Sequence, residues 1–516
     1  MQREKEYLAA REITGLRCET SGEYPLPDYN GDVKKILALK TRVLPSGKFA
    51  SDDSLEFSGS VGYDVVYLDS ENNVTHAEFV TDYDAAIKIN SESFVDADVD
   101  TSVSACSIRL IGPRKISAKC SLESDVRISE RRAVSIDGDA FAAFEPEILT
   151  ETVRVSRFVF ASTEPREMTE QMLSLDGAIA DEVEVLFTDA CVEVEHTDVT
   201  PSGVDVKAKI ALSMLWRDAD GKVSLLTKDV PISDTIPCDT AKFDQNVFVR
   251  GETVSQKGGV IPTDEGVNLN TSLTVVFKMY DVSNCDIDLV KDSYLKERGS
   301  ENEYSDFSYT EHIASVRGEN DFAYRTELSE TGIECFDEIV YMDAKVHVSS
   351  SDVTDSGVKI VGEIRFSGIA SQVFEENTIT YTPIKFTAPI SYNVNLDCQK
   401  HDNMRVNCNV DANDIKIECD ENTLSVTCTL STFLTVNSER RQRCLGASYL
   451  TDEEFERDES TVTVYYPDRS ETLFDIAKRF HTSVNAIAAA NKLTQSVFAA
   501  ANEPIGVSDV KKLVIR

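Results

Sequence analysis

The sequence has no run of about 20 apolar residues, the length that a membrane-spanning helix needs. Its first 15 residues, MQREKEYLAAREITG, carry charged side chains throughout and lack the apolar segment of a secretion signal. Cysteine is scarce, with 12 among 516 residues, and no two cysteines stand in a C-x-x-C pattern. These absences argue against membrane insertion and a disulfide scaffold, and they predict a cytosolic chain with reduced thiols.

Basic residues are also few, because 52 Lys and Arg face 90 Asp and Glu and the net charge is −38. Phosphate backbones and anionic lipid surfaces repel such a chain, so we expect no nucleic-acid partner. A Walker loop, a dinucleotide-binding glycine pattern, G-x-S-x-G and H-E-x-x-H are all missing, and the six histidines are scattered. The sequence therefore predicts a protein that is not an enzyme and that holds no cofactor and no metal.

One pattern of strands recurs three times along the chain. Its anchors, Ile36-Leu37, Val185-Leu186 and Ile339-Val340, lie 149 and 154 residues apart, which is one domain length each time. Apolar and polar residues alternate after each anchor, as they do in a strand with one buried face. Each copy ends in one long amphipathic strand, such as KISAKCSLESDVRI in the first copy. The pattern indicates antiparallel sheets.

The predicted fold class is mainly β, with three repeated β-sandwich-like domains followed by a small βααβ module. The three domains are predicted over residues 10–136, 148–290 and 310–445. An exposed acidic linker is predicted over residues 446–460, and the small module over residues 461–516. Charged segments around KDSYLKERGSENEYSD are predicted to be linkers too, and short helices are expected in STEPREMTEQMLSL.

Several residues that suggest a site are predicted to be structural. Trp216 and three cysteines, Cys408, Cys419 and Cys428, fall on inward strand positions, where they act as core residues. The DADG segment at 218–221 resembles the start of a calcium loop, but the rest of that loop is missing. A hairpin turn is the predicted structure there.

The last 56 residues differ in charge and in pattern. Seven basic and five acidic residues make residues 461–516 slightly positive, whereas the rest of the chain carries −40. TVTVYY predicts a strand, and Ser470 is positioned to cap a helix whose apolar face runs from Leu473 to Phe480. Ser483 is positioned to cap a second helix, and KKLVIR predicts the closing strand.

This segment, TVTVYYPDRSETLFDIAKRFHTSVNAIAAANKL followed by DVKKLVIR, resembles a LysM module. Members of that family commonly bind N-acetylglucosamine polymers in a shallow groove between the loop before the first helix and the loop after the second. The resemblance places the groove at Ser470, Glu471, Thr472, Leu473, Phe474, Asn491, Lys492 and Leu493. Ser470-Glu471 replaces the Gly-Asp of the family, and the second loop is long, which favours a protein ligand over a sugar.

The segment GPRKISAKCSLESDVRI resembles the SPOCS domain of clostridial spore-coat proteins, in which an N-R-K-type turn precedes a long closing strand. Gly112 to Lys115 occupies that turn. Repeats of this domain before a LysM module imply a non-enzymatic scaffold for spore-coat assembly and morphogenesis. The implied partner is a coat morphogenetic ATPase of the SpoIVA type, and the implied location is the mother-cell cytoplasm, at the forespore surface and in the spore coat.

Two main hypotheses follow for the LysM module. In the first, it docks the coat protein through an apolar patch with a basic rim. The patch consists of Phe474, Leu493 and Phe498, and the rim consists of Lys478, Arg479 and Lys492. In the alternative, the module anchors the chain to peptidoglycan or another N-acetylglucosamine polymer. Self-association by strand addition is a further hypothesis. A hydrolase site in the repeats is disfavoured, because Arg114 has no clear counterpart in the other two copies.

Overall fold

The computed structural model of the protein describes residues 4–28, 30–51, 53–90, 92–239, 247–332, 335–374, 378–396, 400–401, 403–420, 422–455, 461–468, 471–493 and 512–515. The strands within these residues are β1 (Glu4–Pro25), β2 (Val33–Ala50), β3 (Ser54–Asp69), β4 (Val74–Lys88), β5 (Phe94–Gly112), β6 (Lys115–Ser135), β7 (Glu147–Ser162), β8 (Arg166–Asp176), β9 (Glu184–Thr200), β10 (Gly203–Arg217), β11 (Val223–Pro237), β12 (Val247–Pro262), β13 (Gly266–Tyr294), β14 (Arg298–Glu327), β15 (Glu338–Thr354), β16 (Gly357–Val373), β17 (Ile379–Asn395), β18 (Met404–Asp420), β19 (Thr423–Glu454), β20 (Thr463–Tyr465) and β21 (Leu513–Ile515).

Helices are short and few among the described residues. They are α1 (Ala140–Ala143), α2 (Leu473–Arg479) and α3 (Val484–Asn491). None of the described helices is long and apolar enough to cross a membrane. The predicted fold class is confirmed: the chain is mainly β, and its last part holds two short helices flanked by strands.

Each repeat is a pair of antiparallel sheets packed face to face. In the first unit, formed by β1–β6, one sheet has the order β2-β3-β4 and the other has β1-β6-β5. The long closing strand β6 lies in the centre of its sheet, and its apolar residues from Ile116 to Ile128 are 0–1% exposed. Its inward side chains pack against those of β3, including Tyr63 and Val65, in one core. The alternation therefore marks the buried face, as predicted.

The second and third units repeat this arrangement. In the second unit, formed by β7–β13, the sheets are β11-β10-β9 and β12-β13-β7; in the third, formed by β14–β19, they are β15-β16-β17 and β14-β19-β18. The second unit also contains β8, which pairs with β13. The helices expected in residues 162–175 are absent from the structure, because residues from Arg166 onward are held as a strand by that pairing.

Parts of the predicted linkers are strands in the structure. Residues 446–454, which belong to the predicted acidic linker, continue β19 and pair with the start of β14. Residues 291–294 likewise continue β13, and β14 begins already at Arg298. These charged segments remain strands because their neighbours satisfy their backbone groups. The boundaries predicted for the three domains stay a prediction.

The three units meet in one apolar cluster, here called the axial cluster. Corresponding positions of the three anchors contribute to it, with Leu37, Leu186 and Val340 at most 7% exposed. A second set at the same 149- and 154-residue offsets is Val66, Leu215 and Ile369, all of which are fully buried. Equivalent residues of three repeats therefore converge on a common axis. The chain reproduces within itself the packing of a trimer with cyclic symmetry.

An ion triad lies beside the axial cluster. Lys40 Nζ is 2.7 Å from Asp189 Oδ2 and 2.9 Å from Asp343 Oδ1. These three residues again stand at offsets of 149 and 154, so each unit supplies one member. The Lys40 side chain is 14% exposed. Burial opposes its charge, but the neighbouring Tyr341, Asp343 and Asp189 raise the pKa of Lys40 well above its ordinary value.

Next to the triad, the three units surround a chamber of about 2690 Å³. Its walls come from strands of every unit, including β2, β5, β9, β12, β15 and β18. Arg250 shows how the charges in the wall are compensated, because it pairs with Asp98 and Asp100 of the first unit, each at 3.0 Å. The chamber is therefore lined by ion pairs that also connect one unit to the next.

The other sequence predictions have mixed outcomes. Trp216 is 9% exposed and packs in the core of the second unit, as predicted. Asp218 Oδ1 accepts hydrogen bonds from the backbone of Asp220 and Lys222, which confirms the hairpin turn. Cys428 is buried and Cys408 is partly buried, but the prediction for Cys419 is wrong. Cys419 is exposed and is the second-last residue of β18.

Candidate functional site

The terminal module is built from β20, α2, α3 and β21. Strands β20 and β21 pair antiparallel, with Val464 opposite Val514. Helix α2 begins with a capping box, in which the Thr472 hydroxyl accepts from Asp475 N and the Asp475 carboxylate accepts from Thr472 N. Ser483 caps α3 by accepting from Ala486 N, as predicted. Ser470, the predicted cap of α2, lies outside the described residues, and Thr472 holds that role.

The core of this module includes a residue of the second unit. Leu473 and Phe474 are each 2% exposed and pack with residues of α2, α3 and β21. Tyr294, the last residue of β13, is 4% exposed in the same cluster, and its ring centroid is 5.2 Å from that of Phe474. Leu149 of β7 packs against the cluster too. The module therefore shares its core with the body.

Polar contacts fix the same interface. Tyr294 donates a 2.6 Å hydrogen bond to the carbonyl of Thr482, in the turn between α2 and α3. Lys478 Nζ lies 2.6 Å from Asp292 Oδ2, and Asn302 and Tyr304 donate to the other oxygen of that carboxylate. Asp292 is thus held in place to receive the lysine. The contacts cover one face of α2.

A third contact lies at the turn after α2. The ring of His481 stacks on Phe455 with a centroid distance of 3.6 Å and an interplanar angle of 20°. Burial lowers the pKa of His481, which keeps the ring neutral at physiological pH. The body therefore contacts the module along α2 and at its end.

Glu471 organises the loop before α2. Its carboxylate accepts from the Tyr465 hydroxyl at 2.8 Å and from the backbone N–H of Asp468 at 3.0 Å, and it pairs with Arg479 at 2.7 Å. Burial opposes the charge, but these hydrogen bonds and the Arg479 guanidinium lower the pKa of Glu471. In place of a flexible Gly-Asp, the chain has a carboxylate that ties the loop to β20 and α2.

We expect Glu471→Gln to destabilise the module in a pH-dependent way. A carboxylate with a lowered pKa in the folded state stabilises the fold above its unfolded pKa of about 4.3, and this contribution is lost as the pH falls through the folded pKa. The difference in melting temperature between wild type and variant should therefore be largest near pH 7 and shrink below pH 4, as measured by thermal denaturation. Glu19→Gln, which removes an exposed partner of Lys119, is the control. A difference that stays constant with pH would contradict this role.

Comparison with protein-family models matches the LysM domain to residues 469–497. The chain carries a C-terminal LysM domain. The match covers α2 and α3 and the capped start of each helix. No curated protein and no solved structure matches the chain. Nothing in the comparisons supports the SPOCS resemblance of the repeats.

Several residues predicted to bind a ligand also hold the LysM domain together. Asn491 donates to the carbonyls of Ile487 and Val514 and accepts from Val514 N, so it fastens α3 to β21. Thr472 is the helix cap, and Leu473 belongs to the core. Among the predicted groove residues, Lys492 is exposed and Leu493 is partly buried.

The predicted protein-docking patch is not an open surface. Phe474 is buried against Tyr294, and Lys478 is paired with Asp292 of the body. Arg479 is 53% exposed and also lies over the Tyr465 ring, 5.6 Å from its centroid. Phe498, like Ser470, lies outside the described residues.

Sequence reasoning missed Tyr466. Its side chain is 69% exposed, and it directly follows β20, at the start of the loop before α2. Val462 and Val464, four and two residues earlier, are 54% and 51% exposed. The alternation in TVTVYY was the available signal, because an inward Tyr465 requires that Val464 and Tyr466 point outward.

The Arg114 turn has a structural role in the first unit. Its guanidinium donates to the carbonyl of Asn30 at 2.9 Å and to that of Pro27 at 2.7 Å. The same turn accepts backbone hydrogen bonds from Leu26 and Val33. Arg114 thereby clasps the connection between β1 and β2. No group of three or more potential metal ligands occurs among the described residues.

Proposed function

We propose that this protein is a non-enzymatic binder of N-acetylglucosamine polymers such as peptidoglycan. Its LysM domain binds the glycan, and the three β units form an acidic body that holds the domain in a fixed orientation. The observation that carries this proposal is the LysM match over residues 469–497, on a domain whose α2 face is covered by the body. The ligand is therefore assigned to the remaining loop side.

The loop face is defined here as Tyr466, Asp468, Glu471, Lys492 and Leu493, which border the loops before α2 and after α3. Sugar rings present C–H faces that pack on aromatic side chains, and their hydroxyl and acetamide groups need polar partners. Tyr466 supplies an exposed ring, and Lys492 supplies an exposed cation. The slightly positive LysM domain also attracts the carboxylates of peptidoglycan, whereas the acidic body repels them.

We expect Tyr466→Ala to weaken retention on insoluble peptidoglycan by about tenfold, because an aromatic contact of this kind contributes roughly 1–2 kcal/mol. The measurement is co-sedimentation of the full chain over a range of peptidoglycan concentrations. Phe49→Ala is the matched control, since Phe49 is 66% exposed on the first unit.

Soluble chito-oligosaccharides should displace the wild-type chain from the pellet. Absence of retention, or retention that chito-oligosaccharides do not reduce, would refute glycan binding. Equal retention of Tyr466→Ala and wild type would show that the glycan binds outside the loop face.

A second candidate is a spore-coat assembly scaffold that docks a coat morphogenetic ATPase of the SpoIVA type. Support comes from the layout of three repeated units before one LysM domain and from the Gly112-Pro113-Arg114-Lys115 turn, which together resemble SipL. Arg114 clasps its unit, as expected of a structural motif. This role would place the chain in the mother-cell cytoplasm, at the forespore surface.

The docking surface of this second candidate would have to differ from the predicted patch, because the body already covers Phe474 and Lys478. The two functions are separated by measuring how the purified ATPase binds to the full wild-type chain and to Lys492→Glu, a variant of the loop face. Failure to bind the ATPase, with wild-type spores after deletion of the gene, would count against the scaffold.

A further inference from the structure

Two cysteines of the first unit face each other across neighbouring strands. Cys106 of β5 and Cys120 of β6 are direct partners in the antiparallel register, with Ala105 opposite Ser121 and Ser107 opposite Lys119. Directly opposed residues share a face of the sheet and have Cβ atoms about 4.5–5.5 Å apart. A disulfide needs Cα atoms about 4.4–6.8 Å apart and Cβ atoms near 4 Å. A small adjustment of the two strands therefore permits the bond.

We propose that Cys106 and Cys120 form a reversible cross-strand disulfide when the protein meets a peroxide. Both thiols are free in this structure. Cys120 is fully buried in the core of the first unit, and Cys106 is partly exposed on β5, an outer strand of its sheet in the chamber wall. A small oxidant reaches the pair from the chamber side, where Cys106 lies, and whichever sulfur is oxidised has the other beside it to resolve the product.

The surroundings of the pair favour the thiolate that such chemistry needs. The hydrogen bond from Cys106 lowers the pKa of Cys120, and the ammonium group of Lys345 lowers it further against the effect of burial. The same contact raises the pKa of Cys106. Lys345 belongs to the third unit and is held by a 2.8 Å hydrogen bond to Thr41 of the first.

The reaction balances with one peroxide. A thiolate of the pair attacks an oxygen of hydrogen peroxide, the O–O bond breaks, and a sulfenic acid and hydroxide form. The second thiol then attacks the sulfenic sulfur, the S–S bond forms, and water leaves. The two sulfurs lose two electrons to the peroxide, and both thiol protons end in water. A low-molecular-weight thiol restores the dithiol by exchange.

Neighbouring cysteines are less well placed. Cys18 of β1 lies opposite Leu122, so it is diagonal to Cys120, and diagonal neighbours are about 7–8 Å apart. In the third unit, the position corresponding to Cys120 is Cys428, but the register of β18 shifts between Asn413 and Lys416, and no cysteine is its strand partner. Cys428 therefore serves as an internal comparison.

The test is differential alkylation of the full chain before and after treatment with hydrogen peroxide, followed by peptide mass spectrometry. Cys106 and Cys120 should become protected in equal proportion, linked to each other, and recovered with dithiothreitol, while Cys428 remains a free thiol. Cys106→Ser should abolish the protection of Cys120; its position is partly exposed, so the fold should tolerate the change.

Lys345→Met should slow the oxidation about three- to tenfold at pH 7, because it removes a positive charge that favours the thiolate. The proposal is overturned if both thiols stay free at peroxide concentrations that oxidise the exposed Cys335 and Cys419. It is equally overturned if Cys120 pairs with Cys18, or if both sulfurs are oxidised to sulfinic acids without a link.

Discussion

Lys40→Met is expected to lower the free energy of unfolding by about 3–5 kcal/mol, because it leaves Asp189 and Asp343 facing each other without their cation. The lysine side chain is 14% exposed, so solvent does not replace the lost partner. Equilibrium unfolding in urea, followed by circular dichroism, measures the change.

A charge-neutral variant separates the ion triad from the packing around it. Adding Asp189→Asn and Asp343→Asn to Lys40→Met removes the uncompensated carboxylates, and we expect it to recover most of the lost stability. Lys119→Met is the control, because Lys119 is 56% exposed and its pair with Glu19 contributes at most about 1 kcal/mol. A loss of less than 1 kcal/mol for Lys40→Met would show that the triad does not hold the three units together.

Tyr294→Ala is expected to destabilise the LysM domain by about 3–5 kcal/mol while leaving the β units folded. The substitution removes a buried ring from the shared core, together with the 2.6 Å hydrogen bond to Thr482. Hydrogen–deuterium exchange of the full chain should show lost protection in α2 and α3 and unchanged protection in β3 and β10.

Tyr294→Phe is the matched variant, because it keeps the ring and removes only the hydroxyl. We expect it to cost about 1–2 kcal/mol, the contribution of one buried hydrogen bond. Burial raises the pKa of Tyr294, so the wild-type hydroxyl stays protonated and donates throughout the physiological range. If both variants left exchange in α2 unchanged, the domain would fold independently of the body.

The sheets could be predicted from the sequence because the physical cause is local. Alternation within β3, β10 and β16 marks which side chains are buried, and the 149- and 154-residue offsets identify the repeat. The axial cluster was harder to foresee. Its signal is a break in the alternation, since Val65, Val66 and Tyr67 are consecutive and all fully buried. Such a run marks a strand that is covered on both faces.

The docking of the LysM domain could not be foreseen, because the receiving residues lie in a charged segment. Asp292 and Tyr294 belong to KDSYLKERGSENEYSD, whose composition is typical of an exposed linker. Their role depends on residues almost 190 positions away, Lys478 and Thr482. Composition records only the average polarity of a segment, whereas this contact depends on one tyrosine and one aspartate.

The same docking explains why only part of the candidate site was predicted. The residues carried over from the LysM pattern include helix caps and core positions, such as Thr472 and Leu473, as well as exposed ones. A sequence motif contains both structural residues and exposed ligand-contact residues, because the fold of a small domain and its ligand contacts use the same short loops. Exposure then separates them, and it leaves Tyr466, Asp468 and Lys492 as the exposed members of the loop face.

The most direct test is a hydrogen–deuterium exchange footprint of a soluble chito-oligosaccharide on the full chain. The structure and the proposed function together predict protection in peptides spanning residues 463–472 and 488–493, with no change along the chamber strands β2, β9 and β15. Protection in the chamber strands, or no protection anywhere at saturating oligosaccharide, would contradict the proposal that a docked LysM domain binds glycan through its loop face.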